Sequence, residues 1–298
     1  MQLFLIRHGE TVDNVAQVYA GIKDSPLTMH GSLQAERLGR FFTKKGLLFS
    51  HVYSSDLQRA TKTANAICTW NDAAGANKVQ VIVKEVLREQ DFGFYEGKPF
   101  YPRPRDSHKS GKENHRSQHE NDPDFQDVES KESMDSRMNT FLADNLLPLL
   151  FDEQQQEHII AVVSHGIILS HLWRCFLRIL PKNSVTLMPG LSVGKGGVTP
   201  LEYLGGWSNT GYLELDIQRK SLAATEPAKS KSSLESPISQ SIHKDSLPKL
   251  HDYKVTIKTV NGKEHMQGLK RTKGGVGSSK FDEGQKSIES FFKKQKMG

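Results

Sequence analysis

Cysteine is scarce in this chain, no long apolar run occurs, and no cluster of metal-ligating residues is spaced as a site. Each shortage removes a class of protein. Two cysteines, Cys68 and Cys175, among 298 residues cannot build a disulfide framework, and neither has a metal-binding spacing. A reducing compartment is expected, with both thiols buried and inert in helical patterns. The start, Met1-Gln2-Leu3-Phe4, has no basic n-region, and its apolar run is much shorter than the roughly 20 residues of a membrane span. A soluble protein of the cytoplasm, the nucleus or both is expected, without a membrane partner.

Most of the chain lacks a large excess of either charge. The net charge is +6, yet residues 219–298 alone hold 17 basic and 8 acidic side chains. The remainder is therefore net acidic, and the basicity is a property of the tail. It says little about the rest of the chain; weak or no direct nucleic-acid binding is expected, with binding by the tail through charge alone as the alternative.

What is present is regular alternation. Apolar segments rich in β-branched residues predict strands at about 2–7, 51–54, 79–83, 158–164, 198–204 and 211–217. Helical spacing predicts helices at about 31–45, 56–70, 132–150 and 166–179. Strands alternating with helices imply an α/β class fold, a three-layer α/β/α sandwich on a mostly parallel central sheet. Ligands in such sheets bind at the carboxyl ends of strands. That edge would gather Arg7-His8, the Ser54–Arg59 junction and His165. A polar segment, 102–131, contains Pro102, Pro104, His108, His115 and His119. Its irregular spacing reads as a mobile surface insert that could lie over the site rather than as a metal centre.

Five motifs follow one another in order: Leu5-Ile6-Arg7-His8-Gly9-Glu10-Thr11; Asp24-Ser25-Pro26-Leu27-Thr28 with Gly31; Ser54-Ser55-Asp56-Leu57-Gln58-Arg59-Ala60; Leu87-Arg88-Glu89 with Gly93-Phe94-Tyr95-Glu96-Gly97; and Val162-Val163-Ser164-His165-Gly166. Together they resemble the histidine phosphatase (phosphoglycerate mutase-like) superfamily over about residues 1–217. The resemblance implies a phosphorylated substrate, no cofactor and no metal, because cationic side chains take the metal's place. By the same resemblance His8 attacks phosphorus and becomes a phosphohistidine. Arg7, Arg59 and a cationic His165 surround the phosphoryl oxygens. Asn14 and Gly21 contribute to phosphate binding, and Glu89 exchanges the proton. Asn209, in Ser208-Asn209-Thr210-Gly211, is a candidate for orienting the site. Where a family mutase would carry a threonine before the second-motif glycine, this chain has Ala20-Gly21. The loop after Glu96-Gly97 also lacks the mutase-like pattern. Water is therefore the expected acceptor, with mutase chemistry or a catalytically weak scaffold as alternatives.

Residues 218–298 have linker composition and are expected to be mostly disordered. Alternation at Tyr253, Val255, Ile257 and Thr259, followed by Asn261-Gly262, marks a small β element within 252–268. Leu269-Lys270-Arg271-Thr272-Lys273 is a short basic cluster. At the end, Gln285, Ile288, Phe291 and Phe292 resemble the box by which proteins dock on the replication sliding clamp, proliferating cell nuclear antigen. One helical turn over 285–292 would place Ile288, Phe291 and Phe292 on one side as a plug. The resemblance favours a nuclear location.

Overall fold

The computed structural model describes residues 1–75, 78–100, 111–152, 157–191, 200–204, 206–220, 247–272 and 275–282. In chain order the elements are β1 (Gln2–Arg7), α1 (Val12–Ala16), α2 (Met29–Lys44), β2 (His51–Ser54), α3 (Gln58–Ala73), β3 (Val81–Val83), α4 (Gly111–His119), α5 (Lys131–Phe141), α6 (Leu147–Leu150), β4 (Ile159–Ser164), α7 (Gly166–Ile179), β5 (Val185–Leu187), β6 (Tyr212–Arg219) and β7 (Tyr253–Gly262). The strands form one sheet in the order β3-β2-β4-β1-β6-β7-β5. Pairing is parallel except at β1–β6 and β6–β7.

Alternation along the strands splits the core in two. Leu3 and Leu5 of β1 face one way and pack with Met138, Phe141, Leu172 and Trp173 from α5 and α7. Phe4 and Ile6 face the other way, against Leu38, Phe42, Ala64 and Ile67 from α2 and α3. Phe4 meets Phe42 and Phe49 edge to face at 5.2 and 5.4 Å. Each fully buried side chain of this size contributes about 1.5–3 kcal/mol, so the two apolar layers commit β1 to the centre. The expected three-layer sandwich is the observed one.

Boundaries differ where local pattern was weak. The helix expected over 132–150 is interrupted by a π-turn at Leu142–Leu146. Pro148 follows in α6; with no N–H it cannot continue an α-helical ladder, and the chain re-registers before it. Residues 200–204 contain a turn rather than the expected strand, and the sheet instead gains β5, a three-residue strand. The described part of the 102–131 insert includes a helix, α4. Its His119 stacks on Phe94 at 5.2 Å, and Arg116 pairs with Asp127 at 2.8 Å.

The sheet does not end near residue 217. The β element expected within 252–268 is β7, which pairs along β6 and lends Val255 and Ile257 to the core. A lone hairpin is marginal in water, whereas a strand added to an existing edge finds its hydrogen-bond partners already aligned. The chain then crosses back to the catalytic side. Arg271 of the basic cluster pairs with Glu10. Residues 279–281 bond along the start of α2, Met29 N to Ser279 O at 3.0 Å and Phe281 N to Leu27 O at 2.9 Å. Phe281 sits in a groove between α2 and α3 with Lys62 over its ring. Among the described residues no helix is long and apolar enough to cross a membrane. Cys68 and Cys175 are free and buried, and burial raises their thiols to about 11 and about 12.

Candidate active site

Parallel register sets the site. Arg7 of β1 lies beside Ser164 of β4, and His8 N bonds Ser164 O at 2.9 Å. The residues that leave these two strands, His8 and His165, therefore emerge side by side, with ring centroids 5.1 Å apart. The turn after His8 is possible only because two glycines meet. A Cβ at Gly9 would stand 2.6 Å from Gly31 O, and one at Gly31 would stand 2.0 Å from Glu10 O.

The hydrogen bonds assign the protons. His8 Nδ1 is 2.6 Å from Gly9 O, which can only accept, so Nδ1 carries the hydrogen and Nε2 keeps a lone pair. The orienting partner of the candidate nucleophile is a main-chain carbonyl one residue away, invisible to side-chain motif reading. Arg59 Nε donates to His165 Nδ1 at 3.1 Å. The hydrogen of His165 is therefore on Nε2, which is buried without a partner.

Both rings are almost wholly buried, and both are held well below the ordinary histidine value, first by burial and then by Arg59. A cationic His165 was expected. It is a neutral N–H donor instead, because a buried ring flanked by Arg59 and Arg7 cannot readily hold another positive charge. These rings make acid destabilising. Between their folded values and about 6.5 the unfolded chain binds more protons, so stability falls as pH drops through about 6.5. Melting temperature should decline from pH 7.5 to 5.5, and His165→Gln should have a shallower decline. Equal slopes in the two proteins would rule this account out.

Arg59 is 1% exposed, and three of its five N–H donors are engaged within the protein. Besides His165, it donates to Lys23 O at 2.7 Å and Gly21 O at 2.6 Å, which ties the 20–24 loop to α3. Gly21 has φ +49°, and a Cβ there would collide with Glu96. Glu96 accepts from Ile22 N, Lys23 N and Phe92 N at 3.0–3.1 Å, closing the same loop from the other side. Arg7 donates to Trp207 O at 2.5 Å, and its buried Nε has no partner. Burial pulls both guanidinium groups below their ordinary value, and Glu89 opposes this.

Glu89 Oε1 accepts from Gln90 N and Ile168 N, both at 3.0 Å, while Oε2 has only Ile167 N at 3.2 Å. The less engaged oxygen is the one suited to exchanging a proton. Asn14 caps α1 reciprocally with Thr11, and Asn209 Nδ2 bridges Asn14 Oδ1 at 3.0 Å and His8 O at 3.2 Å. Asn209, which a turn before the last strand would equally explain, is thus hydrogen-bonded to both Asn14 and the main chain of His8.

One cavity of about 530 Å³ is lined by Arg7, His8, Asn14, Gly21, Arg59 and Glu89, together with residues of the 18–20, 92–100, 166–174 and 206–207 segments. His165 is completely buried behind it. Residues of the first, third, fourth and fifth motifs thus meet at one cavity, whereas the 24–28 segment with Gly31 does not line it. Gln285, Ile288, Phe291 and Phe292 lie outside the described residues. Among the described residues no group of three or more His, Cys, Asp or Glu is placed to hold a metal.

Sequence reasoning missed Arg137 of α5. It donates to Val86 O, Arg88 O and Glu89 O at 2.7, 2.6 and 3.1 Å and pairs with Glu129 at 2.8 Å, holding the irregular segment after β3 that presents Glu89. Trp207, whose carbonyl fixes Arg7, was also missed. Neither has a local signal, because each acts across more than 40 positions.

Comparison with known proteins agrees with this geometry. Residues 3–207 match the model of the histidine phosphatase superfamily (branch 1). The chain is 35% identical over 179 residues to a provisionally named phosphoserine phosphatase 2 of Hydrogenobacter thermophilus, covering 58% of this chain and 82% of that protein. It is 37% identical over 95 residues to a 2,3-bisphosphoglycerate-dependent phosphoglycerate mutase of Bartonella bacilliformis, covering 32% of this chain and 45% of that protein. It therefore spans less than half of the mutase's length. A solved mycobacterial glucosyl-3-phosphoglycerate phosphatase shares the fold, with a TM-score of 0.51 and 21% identity over 73% of this chain and 91% of that one. The family match over more than half of the chain, falling on the segments that build the pocket, places this protein in the histidine phosphatase superfamily.

Proposed function

We propose that the protein is a metal-independent phosphatase that hydrolyses a phosphomonoester through a phosphohistidine. One observation carries the reading: His8 Nδ1 is committed to Gly9 O, leaving the Nε2 lone pair for phosphorus on a ring 5.1 Å from that of His165, and Arg7 Nε and His165 Nε2 are buried donors without partners. A phosphoryl group supplies the oxygens those donors lack. His8 Nε2 forms the N–P bond as the ester P–O bond breaks, and Glu89 gives a proton to the leaving oxygen. Water then attacks phosphorus, Glu89 takes its proton, and the N–P bond breaks to release phosphate.

Water rather than a retained sugar acid is favoured as acceptor by Ala20-Gly21 and by the loop beyond Gly97. Orthophosphate release and the interconversion of 2- and 3-phosphoglycerate should be measured together in EDTA. Release should exceed interconversion by about tenfold or more with the better substrates; dominant interconversion would make the protein a mutase.

The second part of the proposal concerns Gln285, Ile288, Phe291 and Phe292, whose spacing suits docking on the sliding clamp in the nucleus. Two adjacent phenylalanines near a polar, basic end need an apolar partner. Asp282, three residues before Gln285, adjoins the segment that runs along α2. A clamp bound there would sit close to the catalytic domain. The full-length protein should bind purified clamp saturably, and Phe291→Ala with Phe292→Ala should weaken binding by about 100-fold. Binding that is indifferent to both substitutions but lost steeply with salt would point to charge alone.

A further inference from the structure

Beyond the phosphoryl cluster the wall of the catalytic cavity is aromatic. Tyr19 lies 4.9 Å from Phe92 and 4.6 Å from Phe100, ring centre to ring centre, and all three line the cavity. Ile167 and Trp207 complete this wall. Phe100 is 49% and Ile167 36% exposed, a grouping of large apolar side chains that soluble surfaces mostly avoid unless something binds there.

The wall continues into a second space. Ser170, Arg174, Gly206 and Trp207 line both the catalytic cavity and an adjoining crevice of about 240 Å³, whose far side includes Trp173, Tyr203, Leu204 and Val260. The two indoles are already satisfied. Trp207 Nε1 donates to Ser170 Oγ at 2.9 Å, and Trp173 Nε1 to Leu201 O at 2.6 Å. Their rings are thus fixed; Trp207 can offer apolar surface, while Trp173, almost wholly buried, forms the floor of the crevice. Among the described lining residues, Arg174 is the one cation besides Arg7 and Arg59.

This division favours one kind of ester. The hydroxyls of a sugar phosphate would lose water against these rings, and the polar lining of the crevice is confined to Ser170, Arg174, Glu202 and Asn261, of which Ser170 and Asn261 are already hydrogen-bonded. An aromatic ring would lose nothing polar and would gain ring-to-ring contact. Resting on the phosphatase reading, we propose that the substrate is a phosphomonoester of an alcohol that carries an aromatic ring, with the phosphoryl group at His8 and the ring passing Trp207 into the crevice beside Tyr203. Phe100 and Tyr203 are then specificity-determining residues.

The test uses the full chain and two alkylphosphonates that cannot be hydrolysed, 3-(1-naphthyl)propylphosphonate and 3-hydroxypropylphosphonate, titrated by calorimetry. The naphthyl compound should bind about 30-fold more tightly. Tyr203→Ala and Phe100→Ala, both at exposed positions, should each cut that preference about fivefold and leave the hydroxy compound unchanged. Equal affinities, binding of neither compound, or a loss shared equally by both in the variants would overturn the proposal. Turnover of the matching phosphate esters is measured alongside. Both are alkyl esters, so leaving-group acidity contributes little. Naphthyl preference without turnover would count against the phosphatase reading and leave the aromatic subsite standing. Turnover without preference would remove the subsite alone.

Discussion

His8→Ala should lower phosphate release by about 10⁴-fold or more, because it removes the nitrogen proposed to form the covalent intermediate. The proton on His8 Nδ1 is committed to Gly9 O, so Nε2 is the reactive nitrogen. Burial and the two arginines keep the ring neutral far below the usual histidine range. The acid limb of kcat/KM should therefore carry no step near 6.5 from this residue. Residual turnover in the variant would come from Arg7, Arg59 and His165 polarising a bound ester toward water. Wild-type enzyme quenched during turnover of a ³²P-labelled ester should hold label that is stable in base and released in acid, as a phosphoramidate requires. The measurement is steady-state release in EDTA. A variant within tenfold of wild type would remove His8 as nucleophile.

Arg59 is expected to be nearly as sensitive, and for two reasons that can be separated. It is a charge beside the phosphoryl site, and losing such a donor costs about 10²–10³ in rate. It is also a buried three-way tie, to His165 Nδ1, Gly21 O and Lys23 O. Leaving those acceptors unpaired should cost about 2–4 kcal/mol of stability. Lysine keeps the charge but has one ammonium group where the site uses a planar fork. Arg59→Lys should therefore lose about 10²-fold or more in kcat/KM, despite unchanged formal charge, and should unfold at lower denaturant than wild type. The same variant frees His165 Nδ1 from its donor, so the ring's proton is no longer confined to Nε2. Steady-state kinetics and denaturant melts on one preparation decide the matter. Arg59→Lys with kcat/KM within threefold of wild type would mean that the fork geometry is not used.

Much of this site was legible because its chemistry lies at strand ends. Arg7-His8 and His165 each follow an apolar run, and runs that alternate around helices must lie side by side in one sheet. The capping pattern of Thr11 and Asn14 is likewise local. The tautomers were not legible. They depend on Gly9 O, which is main chain, and on Arg59, which reaches His165 from another helix. Nor was the neutral state of His165, since a motif carries residue types but not the burial that sets their charge. Arg137 and Trp207 act through backbone carbonyls 40 to 200 residues away, and no spacing rule reaches that far.

The end of the chain shows the same division. Alternation at Tyr253, Val255 and Ile257 was sufficient to indicate a strand, but not where it would lie. An isolated strand has no partner of its own, and only the open edge of β6 decided that β7 completes the main sheet. The basic cluster carries no local sign of a partner, and folding alone brings Glu10 against Arg271. The amino-acid order by itself determined the α/β class, the order of the strands' chemistry and the residues that meet at the pocket, because hydrophobic period and residue type act locally. The proton positions, the loop ties and the aromatic wall that continues past Trp207 were decided by tertiary structure, because each depends on groups that only packing brings together.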